Sequence, residues 1–244
     1  MPILQPKDEE AVRRRFDVEL KRDVRLTLFT QRNVGGLYIP GRECKSCAPT
    51  EQLLQELSAL SDRIDLDIVD YYGNQEEVKA LGIGRIPALV VNANGNSNAR
   101  FYGMPSAFEF ALLLDTIVAA SSSGSTLQTE TRRRLKALEE DVHLQVFVTP
   151  TCQFCPQVAR LAHAMALESS NIVADVVEIQ EFPSLASTWA VRSVPKTVIN
   201  GSTQFTGAVT EEVFLQRIMA AVGAEEPEEG TDDDQPSDQT TLIG

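Results

Sequence analysis

The sequence predicts an α/β protein of two tandem units of one kind, each a mixed central sheet flanked by helices. Four observations carry this. Strand-type and helix-type apolar patterns alternate along nearly the whole chain. A C-x-x-C pair follows a strand and opens a helix in each half, Cys44/Cys47 and Cys152/Cys155, at an offset of 108 residues. From the first cysteine of each pair to a proline that opens a later strand, Pro87 or Pro195, is 43 residues in both halves. Gly103 precedes Phe110 by seven residues, and Gly207 precedes Phe214 by seven. The chain divides into a first unit over 1–120, a Ser/Gly linker over 121–125, a second unit over 126–222 and an acidic tail over 223–244.

Each element has a local reason. Asp8 to Lys21 carries acids first and bases later, which suits a helix dipole. Val24 to Thr30 begins with period-two alternation and reads as a strand. A loop from Gln31 to Glu43 holds Gly35, Gly36, Pro40 and Gly41, and Thr50 to Leu60 is an amphipathic helix. Ile64 to Val69 is a strand and Asn74 to Leu81 a short helix stopped by Gly82. Ile86 to Val91 and Ala99 to Tyr102 are strands joined at the hairpin signal Asn94-Gly95, and Ser106 to Ala120 closes the unit. The second half repeats the order. Its helices are Thr129 to Glu140, Cys152 to Leu167, Ser184 to Ala190 and Glu211 to Val222. Its strands are His143 to Val148, Ile172 to Ile179, Pro195 to Ile199 and Thr203 to Phe205, with a turn at Asn200-Gly201. The tail is rich in acids, Pro, Gly and Thr and reads as disordered.

At 244 residues, 43% hydrophobic and 23% charged, the composition is that of a globular protein. The net charge is −13, but residues 224–244 hold eight acids and no Lys or Arg, which leaves the body at −5. A body so nearly balanced lacks the basic face that nucleic acid requires. The first ten residues have neither the basic end nor the apolar core of a signal peptide, and the run Phe110 to Ala120 is too short to span a bilayer. A cytoplasmic protein, not bound to membrane, is expected.

Four cysteines in such a chain are too few for a disulfide scaffold, and their pairing argues for redox chemistry. Backbone N–H groups at a helix start favour a thiolate. Residues three apart on a regular helix lie about 5–6 Å apart at Cβ, whereas a disulfide wants about 3.8 Å. The first cysteine must therefore sit at the cap. Cys152 is expected to be the exposed attacking sulfur and Cys155 the resolving one. Glu43 disfavours a thiolate at Cys44, with Lys45 partly offsetting, while Thr151 and Gln153 beside Cys152 are neutral, so Cys152 is expected to be the more reactive. A zinc ribbon is the rival reading, but its two pairs typically lie about 15–20 residues apart, and here Cys47 and Cys152 are 105 apart. No metal is expected. His143, His163 and Trp189 read as structural.

Strand, CxxC and helix, followed by Ile86-Pro87 or Val194-Pro195 opening a later strand, resembles the thioredoxin and glutaredoxin superfamily. The doubled arrangement is similar to the protein disulfide oxidoreductases of archaea and thermophilic bacteria, two fused thioredoxin-like units. The N-terminal domain of the flavoprotein component of alkyl hydroperoxide reductase is a near relative. The resemblance covers roughly residues 8–222 and is strongest through 146–156 and 194–201. Thioredoxins commonly carry Trp before the first cysteine, where Glu43 and Thr151 stand here, and neither CxxC holds a proline. The resemblance implies cis bonds at Pro87 and Pro195. Ile86 and Val194 would then lie beside the cysteines with free backbone groups, on which an extended substrate segment could add as a strand.

The function expected is thiol–disulfide exchange with protein substrates through Cys152, Cys155, Cys44 and Cys47, the C-terminal pair dominant. Pro195, Val194, Pro87 and Ile86 would form the substrate contacts. No bound cofactor is required. The resemblance implies a thioredoxin-reductase-type flavoenzyme as electron donor and a peroxiredoxin among the acceptors. A dedicated relay between those two is one alternative; a redox-inactive metal-binding or scaffold protein is another.

Overall fold

The computed structural model describes residues 2–31, 43–93, 96–122, 124–224 and 241–242. The first unit runs α1 (Pro6–Glu19), β1 (Val24–Thr30), α2 (Cys47–Ser58), β2 (Ile64–Asp70), α3 (Gln75–Ala80), β3 (Ala88–Ala93), β4 (Asn96–Tyr102) and α4 (Phe108–Ser121). The second runs α5 (Thr129–Lys136), β5 (Val142–Val148), α6 (Cys155–Glu168), β6 (Ile172–Glu178), a 3-10 turn (Ile179–Glu181), α7 (Pro183–Thr188), β7 (Ser193–Val194), β8 (Lys196–Ile199), β9 (Thr203–Thr206) and α8 (Glu211–Ala221). A last strand, β10, spans Thr241–Leu242. The loop with Gly35, Gly36, Pro40 and Gly41, and the turn Asn94-Gly95, lie outside the described residues.

Both units are thioredoxin-like in plan: a parallel pair, β1 with β2 and β5 with β6, is extended by antiparallel strands, β3–β4 and β8–β9. β1 and β5 share one burial pattern, in which the second residue, Arg25 or His143, is exposed and the other six are buried. Strands covered on both faces by helices lose polar–apolar alternation, which is why both read as near-continuous apolar runs. At Asn200 and Gly201, φ is 49° and 70°, the left-handed backbone that Asn and Gly tolerate best and the reason that dipeptide turns the β8–β9 hairpin.

The two sheets merge. β4 pairs in parallel with β6, from Ala99 opposite Ala174 to Tyr102 opposite Val177, giving one eight-stranded sheet in the order β2-β1-β3-β4-β6-β5-β8-β9. Unit one therefore closes its hairpin edge against unit two, and two edges that could each recruit another chain are removed. His163 on α6 pins the joint. It is fully buried, its Nε2–H donates to the Arg100 carbonyl on β4 at 3.1 Å, and its Nδ1 lies 3.0 Å from the Thr116 hydroxyl on α4. His143 pairs through Nε2 with Asp175 on β6 at 2.7 Å.

Two stretches differ from the sequence reading. Ser121, assigned to the linker by its Ser/Gly context, is the last residue of α4 and is fully buried. Its hydroxyl accepts from the Lys21 amide, and the Arg22 side chain donates to the carbonyls of Ser121 and Ser122. Serine there satisfies a helix end rather than supplying slack. In the tail, where no structure is expected, Thr241 pairs with Val194 and Leu242 with Ser193 in antiparallel register. Backbone groups at an open strand edge accept any extended partner, so composition does not reveal the pairing. Among the described residues, no helix is long and apolar enough to cross a membrane.

Candidate active site

In the second unit the chain leaves β5 at Val148 and reaches α6 at Cys155, with Phe154 at the N-cap and Pro156 in the first turn, a position proline suits. Cys152 and Cys155 are joined as a disulfide with Cα atoms 5.4 Å apart. Cys152 stands outside the regular helix, as closure of the bridge requires. The Cys155 amide donates to the Cys152 sulfur at 3.1 Å, so the helix start points a partial positive charge at that atom. The Cys152 sulfur also lies 3.7 Å from the carbonyl oxygen of Val194. In the first unit Cys44 and Cys47 are likewise bridged, with the same Cα separation of 5.4 Å, and Cys47 begins α2.

Both prolines are held in the same way. Ile86–Pro87 and Val194–Pro195 are cis. The carbonyl of Pro87 accepts from the Gly103 amide at 3.1 Å, and that of Pro195 from the Gly207 amide at 2.8 Å. Both glycines have φ 95°. The equal spacings in the sequence thus mark one repeated device: a cis-proline loop tied to a left-handed glycine. At Gly103 a Cβ would also meet the Cβ of Glu178 at 2.8 Å. Gly103→Ala is therefore expected to destabilise the fold by about 1–3 kcal/mol, read as a lower urea midpoint at unchanged m-value.

Exposure departs from expectation. Cys152 is 0% exposed and Cys155 1%, whereas Cys44 is half-buried and Cys47 is 3% exposed. Cys152 is enclosed because it sits between the start of α6 and the fully buried Val194.

Residues 142–220 match the family model for the thioredoxin domain. The chain is similar over 91% of its length, at 25% identity and a TM-score of 0.81, to a protein disulfide oxidoreductase from Aeropyrum pernix, of which 94% is covered. The second unit carries a thioredoxin domain, and the chain as a whole has a doubled thioredoxin-like fold. A solved domain of alkylhydroperoxide reductase from Enterococcus faecalis shares the fold, with a TM-score of 0.77 at 23% identity over 88% of this chain and 99% of that one. An alkyl hydroperoxide reductase chain from Staphylococcus aureus is 26% identical over 177 residues, which is 72% of this chain and 32% of that protein. The chain thus spans about a third of the length of the curated relatives it matches.

Beside the two thioredoxin-like CxxC motifs lies a group of carboxylates that sequence reasoning missed. Ser46, inside the first CxxC, donates its hydroxyl to Glu181 of the second unit, which also accepts from the Met104 amide at 2.7 Å. Glu178 accepts from the amides of Gln180 and Glu181. Glu109, in the first turn of α4, is 3% exposed, and one of its carboxylate oxygens has no hydrogen-bond partner. Burial first, and then Glu178 and Glu181, push its pKa up to about 9. Burial likewise raises that of Glu178. The neighbouring Phe108 amide donates to the Pro150 carbonyl, which holds this end of α4 against the loop before Cys152. In the sequence Glu109 looks like an ordinary acid at a helix start, and no local pattern separates it from an exposed one. A cleft at the connection between the units is lined in part by Arg132, Lys136 and Glu168, where both cations pair with Glu168, and it contains no cysteine.

Proposed function

We propose that the protein is a thiol–disulfide oxidoreductase that exchanges disulfides with protein substrates through its two CxxC sites. The observation that carries this reading is the repeated construction itself. Each cysteine pair is bridged at a helix start, and each unit holds a cis-proline loop tied to a left-handed glycine. A Cys152 thiolate attacks one sulfur of a substrate disulfide, forms a mixed disulfide and releases the other sulfur as a thiolate. Cys155, once deprotonated, displaces the bound sulfur. The substrate leaves as a dithiol and the protein retains the two-electron oxidised bridge. The reverse sequence oxidises a dithiol.

The amide on the Cys152 sulfur and the Val194 carbonyl beside it support the second pair as the dominant one. Val194, Pro195, Ile86 and Pro87 are the substrate-contacting residues of this reading, through backbone groups that an extended segment can pair with. Cys44 and Cys47 either repeat the reaction or pass electrons between the second pair and a reductase. Likeness to the alkyl hydroperoxide reductase chain favours a narrower role, a relay from a thioredoxin-reductase-type flavoenzyme to a peroxiredoxin.

The decisive test is capture. In a cell lysate, Cys155→Ser protein is expected to accumulate mixed disulfides on Cys152 that dissolve with dithiothreitol. Equal capture by a chain that also carries Cys152→Ser would refute the assignment. The relay requires turnover with one peroxidase to exceed that with a generic disulfide protein; equal rates would leave the broader reading alone.

A further inference from the structure

The two units are built alike around their cis-prolines, yet differ at one point. In the second, Ser193–Val194 forms a strand outside the eight-stranded sheet, and its partner is Thr241–Leu242. In the first, the equivalent residues Arg85 and Ile86 belong to no strand. The first cysteine follows the same division: Cys44 is half-buried, whereas Cys152 is 0% exposed. The paired backbone is the one that matters for access, because the Val194 carbonyl oxygen lies 3.7 Å from the Cys152 sulfur. An added strand at Val194 occupies the edge on which an incoming extended segment would lay its own backbone.

We propose that the C-terminal segment Thr241–Leu242 is a tethered occupant of the strand site beside Cys152, which a substrate segment must displace to reach that sulfur. The inference rests on the exchange activity proposed above for the meaning of the site, though not for its occupancy. Sixteen residues separate Ala224 from Thr241. An extended chain of that length reaches roughly 55 Å, ample for the segment to return to the unit from which it departs. A tether of this size holds its end at an effective concentration in the millimolar range, which favours docking of so short a strand and leaves it open to displacement by a longer substrate strand. Among the described residues no strand pairs with Arg85 or Ile86 beside the first pair.

The test uses the full chain with Cys44→Ser, Cys47→Ser and Cys155→Ser, so that Cys152 is the one thiol. Its alkylation by iodoacetamide is compared with that of the same chain carrying Thr241→Pro and Leu242→Pro, since proline cannot donate to a strand ladder. About a tenfold faster reaction is expected from the proline chain, equivalent to about 1.4 kcal/mol of displaced pairing. A peptide of residues 236–244, added at millimolar concentration, is expected to restore protection. Deleting 240–244 should give the same acceleration, and an unchanged thermal midpoint in that chain excludes unfolding as its cause. Rates within twofold of one another across these chains overturn the proposal, as does protection that fades on dilution, which would place the segment on another molecule. Disulfide reduction by the four-cysteine chain is measured separately. Absent turnover with segment-dependent alkylation removes the activity and keeps the occupancy; the opposite pattern does the reverse.

Discussion

A chain carrying both Cys44→Ser and Cys152→Ser is expected to lose the proposed turnover on a protein disulfide substrate by about 10³-fold or more, because a serine hydroxyl does not replace a thiolate nucleophile. The single variants divide the work. Cys152→Ser is expected to lose most of the activity if the second pair is dominant, since its sulfur receives an amide hydrogen bond from the start of α6. Cys44→Ser then retains most of it with a small dithiol as reductant and loses it only with a protein reductase, if the first pair takes electrons from that partner. The readout is the steady-state rate under each reductant. Substantial turnover in the double variant would remove disulfide exchange at these cysteines from consideration.

Glu109→Gln is expected to remove much of the decline of stability with rising pH. The Glu109 pKa lies near 9 in the folded chain against an ordinary 4.5. Between those values the folded state keeps a proton that the unfolded state has lost, so stability falls as pH rises, by about 1.4 kcal/mol per pH unit for a single proton. Glutamine cannot ionise. Its chain is expected to hold a nearly level urea midpoint from about pH 7.5 to pH 9, above the His163 window, where the parent declines, with Glu178, whose pKa is raised as well, supplying a residual slope. His163 acts at the other end of the scale. Burial lowers it from 6.5 to about 4, so the unfolded state takes up a proton first and stability falls as pH drops through that window. Identical midpoint profiles for parent and Glu109→Gln would show that Glu109 is ionised in the folded chain.

Much of the site could be read from the chain because its parts are local or periodic. A CxxC after an apolar strand, a proline opening a later strand and a glycine beyond it each impose their own backbone requirement. Repeating those requirements at 43 and seven residues made the two units visible. β1 and β5 were legible for a related reason, since a strand covered on both faces must be apolar almost throughout.

The rest depends on neighbours far away in the chain. That β4 pairs with β6, that Glu109 faces Glu178 and Glu181, and that Thr241 returns to Val194 are choices among backbone edges and buried positions. Peptide groups are alike at every such edge, so the residues that border them carry no mark of which partner they will take. Cys152 shows the limit most directly. Its chemistry follows from three neighbouring residues and a helix start, and its enclosure from a strand 42 residues later. The sequence alone therefore determined what the sulfur can do, and only tertiary packing decided what can reach it, because reactivity is set by bonded and adjacent dipoles while access is set by whatever surface the fold lays over them.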